Sequence, residues 1–240
     1  GILYEKKNNQ FNFIHSYLPS LMSKCASSNS IDQFIHVSAL GIEEAFDSKY
    51  ATSKLDGEMK VKENFPEAII LKPSIVYSVD DNFTTNFMSL LSILPIMPLY
   101  YNGKTKFSPI HVSDFSDIIF KIIQKKIKAE TLECIGPEVF TFKELLQKIL
   151  KSINKKRLLF PLPLALAKLN ARLFQLMPKP LLTVDQLNLL KYDNIASKKY
   201  KTNFDLKMEA NKKFDDEINR YSFNWTSGGQ FSKKRVDRAN

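Results

Sequence analysis

The order of apolar segments along this chain predicts an α/β fold built on a parallel sheet. Two observations carry the prediction. Residues 33–38 and 68–72 read as short buried strands, the first preceded by a stretch whose apolar residues fall at helical spacing and the second by a capped stretch in which Tyr50, Lys54 and Glu58 recur every four residues. Helix, strand, helix, strand in succession is the order that lays parallel strands side by side under helices. Of the 240 residues, 44% are hydrophobic and 25% charged, an ordinary globular balance that excludes wholesale disorder, a coiled coil and a collagen-like fibre.

The first helix is expected over residues 11–26, with Phe13, Ile14, Tyr17, Leu18, Leu21, Met22 and Cys25 at helical spacing, one face inward, and a start or kink at Pro19. A Ser28-Asn29-Ser30 turn leads to the strand at 33–38, expected to be largely buried. Asp47-Ser48 caps a helix over 49–64 that brings Tyr50, Lys54 and Glu58 to one face, and Phe65-Pro66 ends it before the strand at 68–72. A further helix is expected over 82–94, closed by Pro95. After the Asn102-Gly103 turn come one strand at 107–112 and a helix at 114–124. Thr141-Phe142-Lys143-Glu144 is a capping-box pattern opening a helix over 142–153, and Thr183-Val184-Asp185-Gln186 opens a shorter one through Leu190. Between them, an apolar run from Leu158 through Met177 carries Lys168 and Arg172 on one side. It is too short and too charged to span a bilayer, and two readings stay open: a core helix with its lysines in water, or a basic amphipathic segment against a membrane interface or partner. Residues 226–240 read as a flexible basic tail.

The net charge of +10 is unevenly placed: residues 1–120 carry 10 basic and 13 acidic side chains, and residues 121–240 carry 25 and 12. A basic second half fits an anionic membrane, an acidic partner protein or RNA. Cys25 and Cys134 have neither metal-ligand nor redox-pair spacing and read as small buried hydrophobes, and His15, His36 and His111 form no metal-binding pattern. Glycine is the anomaly: seven residues, about 3% against roughly 7% in average proteins, leave little material for a glycine-rich phosphate loop.

The stretch that carries chemistry joins Ser38, at a strand end where α/β sheets place ligands, to Tyr50 and Lys54, one helical turn apart. The ammonium can lie near the phenol and favour its ionised form. A phenol so tuned would exchange a proton with an alcohol or carbonyl while the Ser38 hydroxyl holds the same oxygen. The strand leading into Pro73-Ser74-Ile75-Val76 completes the constellation.

With those residues, the chain resembles the extended and atypical short-chain dehydrogenases/reductases. The resemblance implies that Ser38, Tyr50 and Lys54 are the catalytic residues and that Tyr50, Lys54, Pro73, Ser74, Ile75 and Val76 bind the cofactor. Lys72 stands where that family has arginine, and Ser78 where it has glycine. The blocks 181–186 and 190–194, with 36–41 and 136–142, bring the chain closer to the accessory NAD(P)H-binding subunits of respiratory complex I. That resemblance implies a tightly held NADPH or NADH serving structure or assembly, and other complex I subunits near the quinone module as partners. It further implies a peripheral position on the cytoplasmic side of the bacterial inner membrane or the mitochondrial matrix side, with anionic membrane contact and no nucleic acid. The fold implied is an incomplete Rossmann-like parallel sheet missing its first strands, with a smaller, mostly helical second subdomain. Residues 1–125 would be the later part of the nucleotide-binding domain and 126–225 the partner-facing subdomain, with a return of the chain to the first domain left open. Because the family's Gly-x-x-Gly-x-x-Gly loop would lie upstream of Gly1, these 240 residues are expected to bind dinucleotide weakly or not at all. The rival readings are an active NAD(P)-dependent oxidoreductase or epimerase, which the Ser-Tyr-Lys set permits, and a basic membrane- or RNA-binding module. Substrate-dependent turnover lost on Tyr50→Phe would mark the first rival.

Overall fold

A computed structural model describes residues 1–6, 10–175, 180 and 182–230. The first helix opens with a wide π turn, Phe13–Tyr17, in which the Leu18 N–H reaches back to the Phe13 carbonyl, and continues as α1 (Leu18–Ser28). Pro19 causes this shape: it has no N–H for the His15 carbonyl four residues back. The next helix uses the freed space. A Cβ on Gly57 would stand 1.9 Å from the His15 oxygen, so only glycine lets the two helices approach this closely.

β1 (Ile35–Val37) leads to α2 (Lys49–Asn64), capped as the sequence predicts by Ser48, whose hydroxyl accepts from the Ala51 N–H at 3.2 Å. β2 (Ile69–Pro73) is buried along its whole length. β1 is not, contrary to expectation: only His36 is buried, and Val37 is 41% exposed. Among the described residues β1 is the edge strand, with β2 as its single neighbour.

β3 (Val76–Tyr77), α3 (Thr84–Ile93) and β4 (Ile96–Leu99) follow. The single strand expected at 107–112 is instead two short ones, β5 (Lys106–Phe107) and β6 (Ile110–His111), on either side of Pro109, which has no N–H to continue a ladder. β6 pairs parallel with β3. α4 (Val112–Gln124) starts two residues earlier than expected because His111 caps it, its Nδ1 accepting from the Ser113 N–H. β7 (Thr131–Cys134) and β8 (Phe140–Thr141) precede α5 (Phe142–Ser152), whose Thr141–Glu144 capping box forms as predicted. β5 pairs antiparallel with β8.

β9 (Leu158–Pro161) runs parallel to β4 as a separate two-stranded ribbon, and α6 (Leu164–Phe174) and α7 (Val184–Leu189) come next. The continuation of the α6 run at Leu176-Met177, and Leu181, lie outside the described residues. β10 (Lys201–Thr202) then adds to the main sheet, whose order is β1-β2-β7-β10, all parallel. α8 (Phe214–Asn219) and a 3-10 turn, Ser222–Trp225, close the described chain. Residues 231–240, most of the expected tail, lie outside it.

Ile69, Leu71, Leu132, Ile118 and Ile122 pack the sheet against α4, while Met88, Leu91, Leu145, Ile149, Phe214 and Trp225 form a larger core between α3, α5 and α8. Of the cysteines, Cys134 is buried and Cys25 is exposed, so the expectation that both fill the core holds for one. Phe13, Tyr17, Leu21 and Met22 are exposed with Cys25, so the apolar face of the first helix turns outward, contrary to the expectation that it faces inward.

Candidate functional site

The carboxyl ends of β1 and β2 bring the first predicted residues together. The Ser38 N–H donates to the Leu71 carbonyl at 2.7 Å and the Leu40 N–H to the Pro73 carbonyl at 2.9 Å, so Ser38 and Pro73 sit side by side at the rim of the sheet. α2 lies across this rim and delivers Lys54, whose Nζ donates to the Val37 carbonyl at 2.9 Å, one residue before Ser38. Ser38 is buried and its hydroxyl has no hydrogen-bond partner among the described residues. An orphaned buried hydroxyl is uncommon in a folded protein, and here it fits a polar ligand atom held at the sheet edge. That is the observation that makes the rim compatible with a nicotinamide group.

Tyr50 departs from the sequence expectation. Burial pushes its phenol up to about 12, and its ring packs edge-on against His15 at 5.1 Å and Phe11 at 6.0 Å. Lys54 does not produce a phenolate, because its amine is turned to the strand carbonyl and is itself lowered by burial, with Glu58 opposing that effect and Lys72 reinforcing it. Tyr50 is therefore protonated throughout the physiological range: it can donate a proton to a ligand but holds no negative charge with which to accept one.

Beneath Lys54 lies a buried charge cluster that the sequence reading did not assemble. Lys72 is 0% exposed and pairs with Glu58 at 2.7 Å and Glu43 at 2.6 Å, with the Tyr200 ring 5.6 Å away. His36 stands beside it, lowered to about 4 by burial and by the positive charges of Lys54 and Lys72, its Nε2 without a hydrogen-bond partner among the described residues. The signal was present in the sequence: a lysine inside an otherwise apolar strand requires a buried counter-charge.

Ser74 is committed elsewhere. Its hydroxyl donates to Asn194 Oδ1 at 2.6 Å and accepts from the Ser108 N–H at 3.2 Å, while Asn194 Nδ2 donates to the Leu40 carbonyl at 2.7 Å. Pro73 is buried in register with Cys134, and Ile75 and Val76 are half-buried. The segment around Asn194 thus clasps the ends of β1 and β2. Gly41, at φ +75°, permits this, since a Cβ there would lie 2.8 Å from the Asp193 carbonyl.

Asp185, at the start of α7, has a role that spacing alone could not reveal. Its carboxylate accepts from the Lys49 N–H at 2.6 Å, the Tyr50 N–H at 3.1 Å and the Ser48 hydroxyl at 2.9 Å, so it caps α2 from across the fold. Asn188 adds a bond to the Asp47 carbonyl at 2.9 Å. A cleft of about 360 Å³ opens beside this junction, with Tyr4, Phe11, Lys49, Thr183 and Asp185 among its walls; Ser38, Tyr50 and Lys54 do not line it.

A parallel sheet with a serine at a strand end and a Tyr-x-x-x-Lys helix across it defines a Rossmann-like protein of the extended short-chain dehydrogenase/reductase type. Within that class the chain belongs to the RmlD substrate binding domain family, whose profile matches residues 45–178. It is 27% identical over 197 residues to the mouse mitochondrial protein "NADH dehydrogenase [ubiquinone] 1 alpha subcomplex subunit 9", covering 81% of this chain and 52% of that protein. It is 25% identical over 213 residues to the Neurospora crassa "NADH-ubiquinone oxidoreductase 40 kDa subunit", covering 86% and 54%. The chain spans about half the length of these curated relatives. Among solved structures, dTDP-glucose 4,6-dehydratase from Bacillus anthracis, in complex with NAD, superposes with a TM-score of 0.63 over 92% of this chain and 70% of that one, at 13% identity, a likeness of fold alone.

Proposed function

We propose that this chain is part of an accessory, nicotinamide-nucleotide-binding subunit of respiratory complex I, with a structural or assembly role. The observation that carries the reading is the match to complex I subunits from animal and fungus over more than four-fifths of the chain. The site geometry is compatible with binding: the buried Ser38 hydroxyl has no partner among the described residues, and Lys54 is held at the same strand end through the Val37 carbonyl.

In this reading NADPH or NADH lies along the rim of the parallel sheet. Ser38 offers its free hydroxyl to the nicotinamide end, Tyr50 donates from its phenol, Lys54 supplies positive charge, and Pro73, Ser74, Ile75 and Val76 form the wall beside them. The cofactor, when bound, would supply hydride chemistry; this chain's residues orient it and exclude water. Residues 1–125, joined by β7 and β10 of the same sheet, belong to the nucleotide-binding part and the rest of 126–225 to the partner-facing part, and these 240 residues alone bind dinucleotide weakly. The partners are other complex I subunits near the quinone module. The position is peripheral, on the cytoplasmic face of a bacterial inner membrane or the matrix face of a mitochondrial one.

The test is deletion of the gene followed by native-gel analysis of respiratory complexes, together with co-purification of the full-length product. Loss of assembled complex I and co-migration with it are expected. Unchanged complex I, with substrate-dependent cofactor turnover that disappears in Tyr50→Phe, would support the oxidoreductase reading for which the Ser38, Tyr50 and Lys54 set is the specific argument.

A further inference from the structure

The two readings left open for the 158–177 run are separated by where its leucines point. On α6 the fully buried side chains are the small Ala167 and Ala171, with Phe174 half-buried beside them, and this side meets the 3-10 turn at Tyr100 and the start of α7. Leu166, Leu169 and Leu173, at i, i+3 and i+7, are each more than half exposed. A core helix buries its leucines; this one buries Ala167 and Ala171 and turns its leucines outward. The ribbon that leads into α6 does the same. Ile96 and Leu158 are register partners and both exposed, and Phe160, two residues on along β9, is exposed as well.

The charge around this face has one sign. Residues 145–184 contain eight basic side chains and no acidic one. Lys151, Lys156, Lys168 and Arg172 are exposed and make no ion pair among the described residues, in contrast to Lys148, which pairs with Asp215. By helical geometry Lys168 and Arg172 lie on the flank of the leucine stripe, between it and the packed side, where long stems reach past an apolar layer to a charged plane. Among the described residues no helix is long and apolar enough to cross a membrane. Outward leucines flanked by unpaired cations are the pattern of a helix that lies in a bilayer interface.

We infer that the outer face of α6 and the β4–β9 ribbon form a docking surface for an anionic lipid bilayer, with Leu166, Leu169 and Leu173 entering the acyl boundary and Lys168 and Arg172 engaging lipid phosphates. An acidic protein surface is disfavoured because its carboxylates would lose water against Leu166, Leu169 and Leu173 without gaining a partner there, whereas acyl chains need no hydrogen bond. The inference deepens the peripheral placement proposed above, but its test does not depend on complex I.

The test is sedimentation of the full-length gene product with vesicles of phosphatidylcholine alone and of phosphatidylcholine mixed with phosphatidylglycerol. Binding is expected to the mixed vesicles and to weaken with salt. The triple variant Leu166→Gln/Leu169→Gln/Leu173→Gln should bind at least about tenfold more weakly, since even partial burial of three leucines in the boundary exceeds that factor. Lys168→Glu/Arg172→Glu should bind at least about tenfold more weakly, at roughly fivefold for each cation removed. All substituted side chains are exposed, and unchanged circular dichroism confirms the variants as folded. No uptake by the mixed vesicles, equal binding to both compositions, or full binding by the triple variant overturns the inference and leaves this face to a protein partner.

Discussion

Replacing Asp185 by alanine tests whether the fold holds the Tyr50–Lys54 helix from outside that helix. The first three N–H groups of α2 are all served: Ala51 by the Ser48 hydroxyl, Lys49 and Tyr50 by the Asp185 carboxylate. Asp185→Ala leaves the Lys49 N–H to water at little cost, because that end is exposed. It strands the half-buried Tyr50 N–H, a loss of about 1.5–3 kcal/mol for a hydrogen bond to a charged group. It also removes a negative charge from the positive end of the helix dipole, worth about 0.3–1 kcal/mol. The expected total is about 2–4 kcal/mol, a fall in Tm of roughly 4–16 °C at the 2–4 °C per kcal/mol typical of chains this long. Urea unfolding measures the first quantity and calorimetry the second, while amide exchange should accelerate at residues 49–51. In a double-mutant cycle with Ser48→Ala, the two changes should couple by at least about 0.5 kcal/mol because the side chains share a hydrogen bond. A loss below about 0.5 kcal/mol with no coupling would refute the view that α7 clamps α2.

Lys72→Met should destabilise by about 3–5 kcal/mol in denaturant titration, because it strands Glu58 in the interior, and adding Glu58→Gln should recover much of the loss. Gly57→Ala should destabilise by at least about 1–3 kcal/mol despite alanine's better helix propensity, since its Cβ would meet the His15 carbonyl; a stabilised variant would contradict the close approach of α1 and α2. His36 has a folded pKa of about 4 against an ordinary value of 6.5, so the unfolded chain binds the extra proton between those limits. Its contribution is complete above pH 6.5 and is lost as pH falls toward 4, and His36→Gln should flatten the dependence of unfolding free energy on pH in that window. With its phenol pushed up to about 12, Tyr50 should show no phenolate absorbance below pH 10 in difference spectra between the folded protein and Tyr50→Phe.

The local elements were legible because their determinants are local. The Ser48 cap, the Thr141 and Thr183 capping boxes and the buried strand at Ile69–Pro73 follow from short-range hydrogen bonding and apolar runs. Where the reading missed, a distant contact had decided the outcome. β1 is half exposed because of its place at the sheet edge, and the stretch at 107–112 divides because Pro109 separates strands with different partners. The Ser38, Tyr50 and Lys54 set could be named from its spacing, but its electrostatics could not, since the direction of the Lys54 amine depends on the Val37 carbonyl, 17 residues away in sequence.

By itself, then, the sequence determined the α/β class, the helix carrying Tyr50 and Lys54, and a basic second half. Tertiary structure alone decided that Tyr50 is a buried, protonated phenol, that Asp185 caps its helix across an interval of 135 residues, and that α6 shows its leucines to the outside. The physical reason is the same in each case. Periodicity states which side chains share a face, whereas desolvation, hydrogen-bond partners and the direction a face points are set by elements brought together only when the chain folds.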